Sequence, residues 1–269
     1  MNTFKIHPIS DLHLHSNKFY SFHNIIKPRK DTHLFVAGDI GNPYSKIYHD
    51  FIDFSSKNFA SVVFIAGNHE FYKTNSRDET NDRDDINNTH EFIKKISKKY
   101  LNVFYLNNSY LDYLSRLNYS SCLNFMPRLN YSSRSKNNNL SIFGGTMWTN
   151  VNINNNRINY FLNKEYWEKR NKIHSHFLSE INKIKSHTQI VLTHHLPIDE
   201  LLFSPLVTQN NKDKFSANLT NDFFNKCDIK LWICGHSHFY KNINKNGIQF
   251  VINPFQHNQY NPNLIIELN

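Results

Sequence analysis

The chain has 269 residues, 39% of them hydrophobic and 14% aromatic, which excludes a disordered chain and is ample for one large α/β core. The formal net charge of +9 favours anionic partners, phosphates or nucleic acid, although a lysine-rich, A/T-biased composition gives the same sign. Cys122, Cys227 and Cys234 form no CxxC pair, which points to a reducing, intracellular setting, and no run of about 18 apolar residues marks a transmembrane helix.

Phe4 to Ser10 reads as a first strand and ends in Asp11-Leu12-His13-Leu14-His15, too early for a signal peptide to precede it. A second apolar run, His33 to Ala37, ends in Gly38-Asp39-Ile40-Gly41-Asn42. Ile47 to Phe54 reads as a helix. Ser61 to Ala66, short and β-branched, reads as a buried strand ending in Gly67-Asn68-His69-Glu70. This rhythm of strand, polar corner and helix, about 30 residues per unit, is that of βαβ connections. Lys73 to Asn88 is charged and without period, as a loop would be. Ile86, Phe92, Ile93 and Ile96 mark a helix stripe whose lysines (Lys94, Lys95, Lys98, Lys99) form a solvated face.

Leu101 to Leu106 is a further strand. Asn107 to Asn139 reads as a surface insertion, with a substrate-selecting flap as the sharper alternative. It carries a near-duplicate, Arg116 to Ser121 and Arg128 to Ser133. Leu140 to Phe143 resumes the sheet and leads into Gly144-Gly145-Thr146-Met147-Trp148-Thr149. A long helix then aligns Ile173, Phe177, Ile181 and Ile184. Thr188 to Leu192 is a strand stopping at Thr193-His194-His195-Leu196-Pro197. An irregular stretch, Phe203 to Ser216, and a short helix (Leu219, Phe223, Phe224) lead to the strand Ile229 to Cys234. That strand ends in Gly235-His236-Ser237-His238. Strands Ile248 to Ile252 and Leu264 to Leu268 close the chain. No linker divides it, so residues 1–269 read as one domain with an insertion at 107–139.

Five strands therefore end in oxygen or imidazole donors. A lone histidine is more often a core or surface residue than a ligand, but five independent strand ends are not lone histidines. Asp, Asn and His donors without thiolate suit divalent manganese, iron, zinc or magnesium, and not a structural cysteine zinc site. Residues i and i+2 of an extended segment point the same way, so Asp11 with His13, and His236 with His238, are expected to converge from extended backbone. Glu70 is expected to fix its turn by hydrogen-bonding backbone.

The series Asp-x-His, Gly-Asp-x-x-Asn, Gly-Asn-His-Glu, Thr-His-His and Gly-His-Ser-His resembles, in this order, the motifs of the calcineurin-like metallophosphoesterase superfamily, from about residue 4 to 255. Glu70-Phe71-Tyr72, Met147-Trp148-Thr149 and Asn253-Pro254 further resemble a group of small bacterial and viral members. The resemblance implies an α/β fold, a four-layer αββα sandwich of two mixed β-sheets flanked by helices, with the site at the strands' carboxyl edge. It implies two divalent metal ions, manganese favoured. Asp11, His13 and His238 would hold the first, Asn68, His194 and His236 the second, and Asp39 would bridge both. A water shared by the two cations would attack the phosphorus in line. His69 would act as general acid or orient the phosphate. Asn68 and His195 are candidate substrate contacts, while His15, Tyr72 and Trp148 stand open between cleft and structural roles. One departure is informative: protein Ser/Thr phosphatases of this superfamily carry Asp and Arg where this chain has Asn42 and Pro43, which argues against a phosphoprotein substrate.

The activity implied is hydrolysis of a phosphomonoester or phosphodiester, on a small or nucleotide-like phosphate-ester substrate. Two alternatives remain: a nuclease acting on DNA or RNA, supported by the charge but by no nucleic-acid module, and a catalytically silent scaffold for protein binding. No membrane contact is expected and no oligomeric state follows.

Overall fold

The computed structural model describes residues 3–14, 21–72, 86–113, 140–152, 164–185, 188–203, 207–208, 211–225 and 227–268. Two mixed sheets pack face to face. The first contains β1 (Phe4–Ile9), β2 (Arg29–Val36), β3 (Phe59–Phe64), β4 (Val103–Tyr105) and β11 (Ile266–Leu268), in the order β11-β1-β2-β3-β4. β1 to β4 run parallel, and β11 closes the edge antiparallel to β1. The second contains β5 (Ser109–Asp112), β6 (Ser141–Gly145), β7 (Ile190–Thr193), β8 (Leu231–Cys234), β9 (Lys241–Lys245) and β10 (Ile248–Ile252), in the order β5-β6-β7-β8-β10-β9. Its inner four strands are parallel and its two edge strands antiparallel.

The near-continuous apolar runs of the inner strands follow from burial on both faces. Successive side chains of β2 point to opposite sides: Leu34 and Val36 pack outward, Phe35 inward. The inward residues join Ile6 and Val63, and meet Ile142, Ile190, Leu192 and Ile233 of the facing sheet. Outside the first sheet lie α1 (Phe22–Ile25), α2 (Lys46–Asn58) and α3 (Ile86–Ser97). Tyr48, Phe51, Ile52 and Ser55 form the buried stripe of α2, and Ser45 caps it by accepting from the Tyr48 N–H at 3.4 Å. Outside the second sheet lies α4 (Lys164–Ile184), which packs Phe177 and Ile181 against Phe143, Val191 and Trp232. The order helix, sheet, sheet, helix is the four-layer sandwich expected.

Three differences from the sequence expectations have physical causes. The insertion expected at 107–139 begins with structure: β5 pairs with β6 at Ser109↔Gly144 through Asp112↔Ser141, and Tyr113 is buried between the sheets. The near-duplicate at 116–133 lies outside the described residues. Asn87 and Asn88, expected as the end of a loop, lie in the first turn of α3, because the buried helix stripe begins at Ile86, as its sequence period indicates. β9 was unmarked because an edge strand reading Lys-Asn-Ile-Asn-Lys shows half-exposed and exposed polar residues rather than an apolar run. Its two lysines also suit an edge that resists pairing with another chain.

Candidate metal centre

The carboxyl ends of β1, β2, β3, β7 and β8 meet where the two sheets join. Ser10 N–H donates to the Asn253 carbonyl at 3.1 Å, and Phe255 N–H to that of Ser10 at 2.9 Å, so the ends of β1 and β10 are stitched together there. Close approach of the corners needs glycine. A Cβ on Gly67 would lie 2.1 Å from Asp39 Oδ1, and one on Gly38, at φ +85°, would lie 2.5 Å from the Gly67 nitrogen.

The corners are not extended. Asp11, His13, Asp39, His236 and His238 all have positive φ, between 44° and 69°. Each such residue costs of order 1–3 kcal/mol, and such outliers cluster at functional sites. The pairs Asp11/His13 and His236/His238 therefore converge through left-handed kinks, which corrects the expectation of an extended pleat. A chain leaving a strand must turn at once to stay over the sheet edge, and the kink does this while throwing the side chain inward.

Asp39 sits at the centre. Its Oδ1 accepts the His69 N–H at 2.9 Å, whereas its Oδ2 is buried and accepts no hydrogen bond among the described residues. Oδ2 lies 3.2 Å from His194 Nε2, 3.6 Å from His13 Nε2 and 3.9 Å from His69 Nε2. On one side, Asp11, His13, Asp39 and His238 offer donor atoms all within 4.8 Å of one another. His13 Nε2 faces His238 Nε2 at 3.2 Å, and His238 Nε2 stands 3.3 Å from Asp11 Oδ1. On the other side, His194 Nε2 stands 2.8 Å from Asn68 Oδ1, and the His236 ring packs 5.0 Å from the His194 ring. All seven expected ligands lie in this one cluster.

The donor set fits a cation. His194 Nδ1 is 2.8 Å from the Ala37 carbonyl, which can only accept, so the Nδ1 proton is committed. A neutral His194 ring then points its Nε2 lone pair at two further oxygen acceptors, Asn68 Oδ1 and Asp39 Oδ2. Three lone pairs directed at one point need a proton or a metal between them. Without metal, burial opposes protonation of His194, but the Asp39 carboxylate outweighs it and holds the pKa up at about 9. Burial alone would raise the Asp39 carboxyl, yet the facing imidazoles hold it well below the usual carboxylate range. Asn68 cannot flip its amide freely, since its Nδ2 donates to the Tyr72 hydroxyl at 3.1 Å.

Behind the centre, Glu70 is fully buried and accepts from the N–H groups of Gly67 (2.8 Å), Ile40 (2.7 Å), Asp39 (3.2 Å) and Gly41 (3.3 Å). It hydrogen-bonds backbone as expected, and joins the corner of β2 to that of β3. Burial, and then the Asp39 charge, push its carboxyl up to about 8. Asn42 accepts from its own Tyr44 N–H at 3.0 Å, so this side chain serves its turn. His69, with about half of its side chain exposed (48%), stands at the mouth. His15 lies outside the described residues.

Beside the centre a cleft of about 190 Å³ opens. His195 lines it, its Nδ1 donating to the Thr146 carbonyl at 3.2 Å, with Tyr72 and Trp148 alongside. Trp148 is both cleft wall and core: it is 2% exposed and packs on Phe71. Trp167, Asn211, Lys214 and Phe215 also line it; the stretch 203–216 is where the sequence puts substrate choice, but none of these four residues stands out as a site residue. They sit in a helix and an irregular stretch, and only tertiary packing brings them to the centre.

Carboxylates, an amide and imidazoles gathered on the joined strand ends of two sheets place the molecule among the α/β phosphoesterase sandwiches. The chain belongs to the calcineurin-like phosphoesterases, whose family model matches residues 4–240. Members are metal-dependent, in keeping with the Asp/His cluster. An uncharacterized protein of Acanthamoeba polyphaga mimivirus is 27% identical over 301 residues, covering 97% of this chain and 95% of its own. Among solved structures, the phosphopantetheinyl hydrolase of Mycobacterium tuberculosis superposes with a TM-score of 0.65 at 11% identity, covering 99% of this chain and 96% of that one. At that identity the likeness speaks to the fold. Among the described residues, no helix is long and apolar enough to cross a membrane.

Proposed function

We propose that the protein is a dinuclear metal-dependent phosphoesterase that hydrolyses a phosphomonoester or phosphodiester. The observation that carries this is the buried Asp39 Oδ2, which accepts no hydrogen bond among the described residues and lies between two sets of donors. Asp11, His13 and His238 would hold one cation, Asn68, His194 and His236 the other, with Asp39 shared. Bound there, two divalent cations would supply a water of lowered pKa and positive charge for the phosphoryl oxygens.

The chain's own groups do the rest. The His69 N–H fixes Asp39 Oδ1, so that the carboxylate cannot rotate its Oδ2 out of the centre. The exposed His69 ring is placed to give a proton to the departing oxygen or to hold the phosphate. The intact ligand cluster favours an enzyme over a silent scaffold.

The test is hydrolysis of p-nitrophenyl phosphate and bis(p-nitrophenyl) phosphate by metal-stripped protein refilled with manganese. Activity should require the metal, fall at least about 10³-fold in Asp39→Ala, and fall about 10²–10⁴-fold in His69→Ala, the range for a lost general acid. Wild-type protein that binds two metals per chain yet cleaves neither ester would refute the generic activity.

A further inference from the structure

We propose that Tyr166 of α4 is a positioning residue for the metal centre, acting through the Tyr72 hydroxyl to fix the orientation of Asn68. This rests on the dinuclear reading proposed above and adds what sets the geometry of one of its half-sites. Asp11 and Asp39 present carboxylates, whose two oxygens are alike, so half a turn of the group leaves a donor atom in place. Asn68 presents an amide. The same half turn would replace its oxygen by the Nδ2 hydrogens, so this side chain has one useful orientation and needs something to hold it. It also comes from the first sheet, at the end of β3, whereas His194 and His236 follow β7 and β8 of the second. That half-site is therefore shared between two sheets.

Asn68 Oδ1 stands 2.8 Å from His194 Nε2, and its Nδ2 donates to the Tyr72 hydroxyl at 3.1 Å. The Tyr166 hydroxyl donates to the same Tyr72 oxygen at 3.3 Å. A phenolic oxygen that accepts from two donors has turned its own proton away from both. Tyr72 then meets Asn68 as an acceptor, which only Nδ2 can satisfy, and Oδ1 is left facing His194. Because α4 covers the second sheet, this pair of tyrosines also ties the corner of β3 to the layer behind its partner ligands.

Tyr166 belongs to a buried block. The fully buried Arg170 guanidinium, one turn further along α4, lies 3.1 Å from the Tyr166 ring centroid, and its Nη1 donates to the Tyr166 carbonyl at 3.2 Å. A cation over the face of a phenol draws on its π electrons and makes the hydroxyl a stronger donor, which is the role Tyr166 has here. The same guanidinium stands 4.5 Å from the Trp148 ring centroid, and the Trp167 ring meets that of Tyr166 edge-on at 5.0 Å and 86°. Asn171 bonds both the N–H and the carbonyl of Val151, each at 2.9 Å, and His174 Nδ1 lies 3.1 Å from the Trp148 carbonyl. The start of α4 is thus fastened to the loop behind the centre by contacts that do not involve the β3 corner. The Tyr166 hydroxyl is delivered from a support independent of the residue it orients.

Calorimetry of manganese binding to the metal-stripped protein tests this, with Tyr166→Phe keeping the ring beside Arg170 and removing only the hydroxyl. One of the two binding events should weaken about 2- to 10-fold, the size of one neutral hydrogen bond, and the other should not change. In a Tyr72→Phe background the same substitution should change nothing more, because the relay is already cut there. A packing role for Tyr166 would act equally in both backgrounds. A second readout needs no metal: exchange of the Asn68 side-chain amide protons with solvent, followed by nitrogen-15 NMR, the signal being identified by its loss in Asn68→Asp. Exchange should be about 2- to 10-fold faster in Tyr166→Phe than in the wild type. Equal exchange in the two proteins would overturn the relay, as would metal-affinity losses that add in the two backgrounds. The two proposals fail separately. A wild type that binds one manganese per chain, with exchange quickened by Tyr166→Phe, loses the dinuclear reading and keeps the relay. Two manganese ions held alike by both proteins, with equal exchange, does the reverse.

Discussion

At the scale of single residues, the centre depends on two side chains that are not among the expected ligands. Glu70 gathers four buried backbone N–H groups from the corners that carry Asp39 and Asn68. Glu70→Ala strands those donors, and at about 1–3 kcal/mol for an unsatisfied buried group the loss should reach about 3 kcal/mol or more. Glu70→Gln keeps one acceptor oxygen and should lose less. Urea unfolding of the three metal-free proteins ranks them, and an Ala variant with the wild-type midpoint would show that the corner stands without the carboxylate. Tyr72 acts more gently. Its hydroxyl accepts from Asn68 Nδ2, which turns Asn68 Oδ1 toward His194. Tyr72→Phe keeps the ring and frees the amide, so manganese affinity measured calorimetrically should fall about 10- to 100-fold, as for other groups that orient metal ligands. The unfolding midpoint should barely move.

At the scale of elements, the sequence was legible where chemistry and periodicity coincide. Short β-branched runs ending in glycine and polar residues showed β1, β2, β3, β7 and β8 together with the cluster they carry. The two-face burial of those strands made the runs continuous, and that contrast with the polar corners is what can be read. Four things could not be read. β5 lies in a polar segment and owes its strand form to pairing with β6. β9 owes its form to β10. The left-handed kinks at Asp11, His13, His236 and His238 are imposed by packing at the sheet junction; Asp and His enter that region more readily than most residues, but too weakly for their presence to mark these positions. Phe215 and Lys214 reach the cleft through a strap whose contacts are all distant in sequence except those within its own turn. The kinked corners make a prediction for β3: in Gly67→Ala the new methyl would meet Asp39 Oδ1 at 2.1 Å, and its other neighbours are backbone or the same carboxylate. Asp39 must move, so the variant should remain folded by circular dichroism yet bind less than one metal per chain in a metal analysis after dialysis. Two metals retained would mean that the corner relaxes without disturbing the carboxylate.

At the scale of the whole molecule, stability should fall in mild acid through histidines that are not part of the metal centre. His7, His33 and His90 are buried in three places, and burial is the main force that lowers each pKa to about 4. Each ring has hydrogen-bond partners while neutral: His7 Nδ1 and Nε2 meet the Leu264 carbonyl and the Tyr260 hydroxyl, His33 Nδ1 meets Ser61 and Tyr113, and His90 Nδ1 meets Tyr105. The unfolded chain protonates such rings near pH 6.5, whereas the folded protein resists until about pH 4. Between those values the unfolded state binds more protons, so stability decreases as pH falls through that window, by up to about 1.4 kcal/mol per pH unit for each ring. Above pH 6.5 these groups contribute no pH dependence. Metal ligands titrate in the same range, which makes the difference between wild type and a single variant the clean measurement. His90→Gln keeps a hydrogen-bonding side chain opposite the Tyr105 hydroxyl and removes one titrating ring. Urea unfolding at pH 7.5 and pH 5 should show a smaller acid loss in the variant than in the wild type, by about the share of one ring. Parallel losses in the two proteins would mean that His90 protonates without cost in the folded state, and that the burial of its ring beside Phe71 is not what holds the proton off.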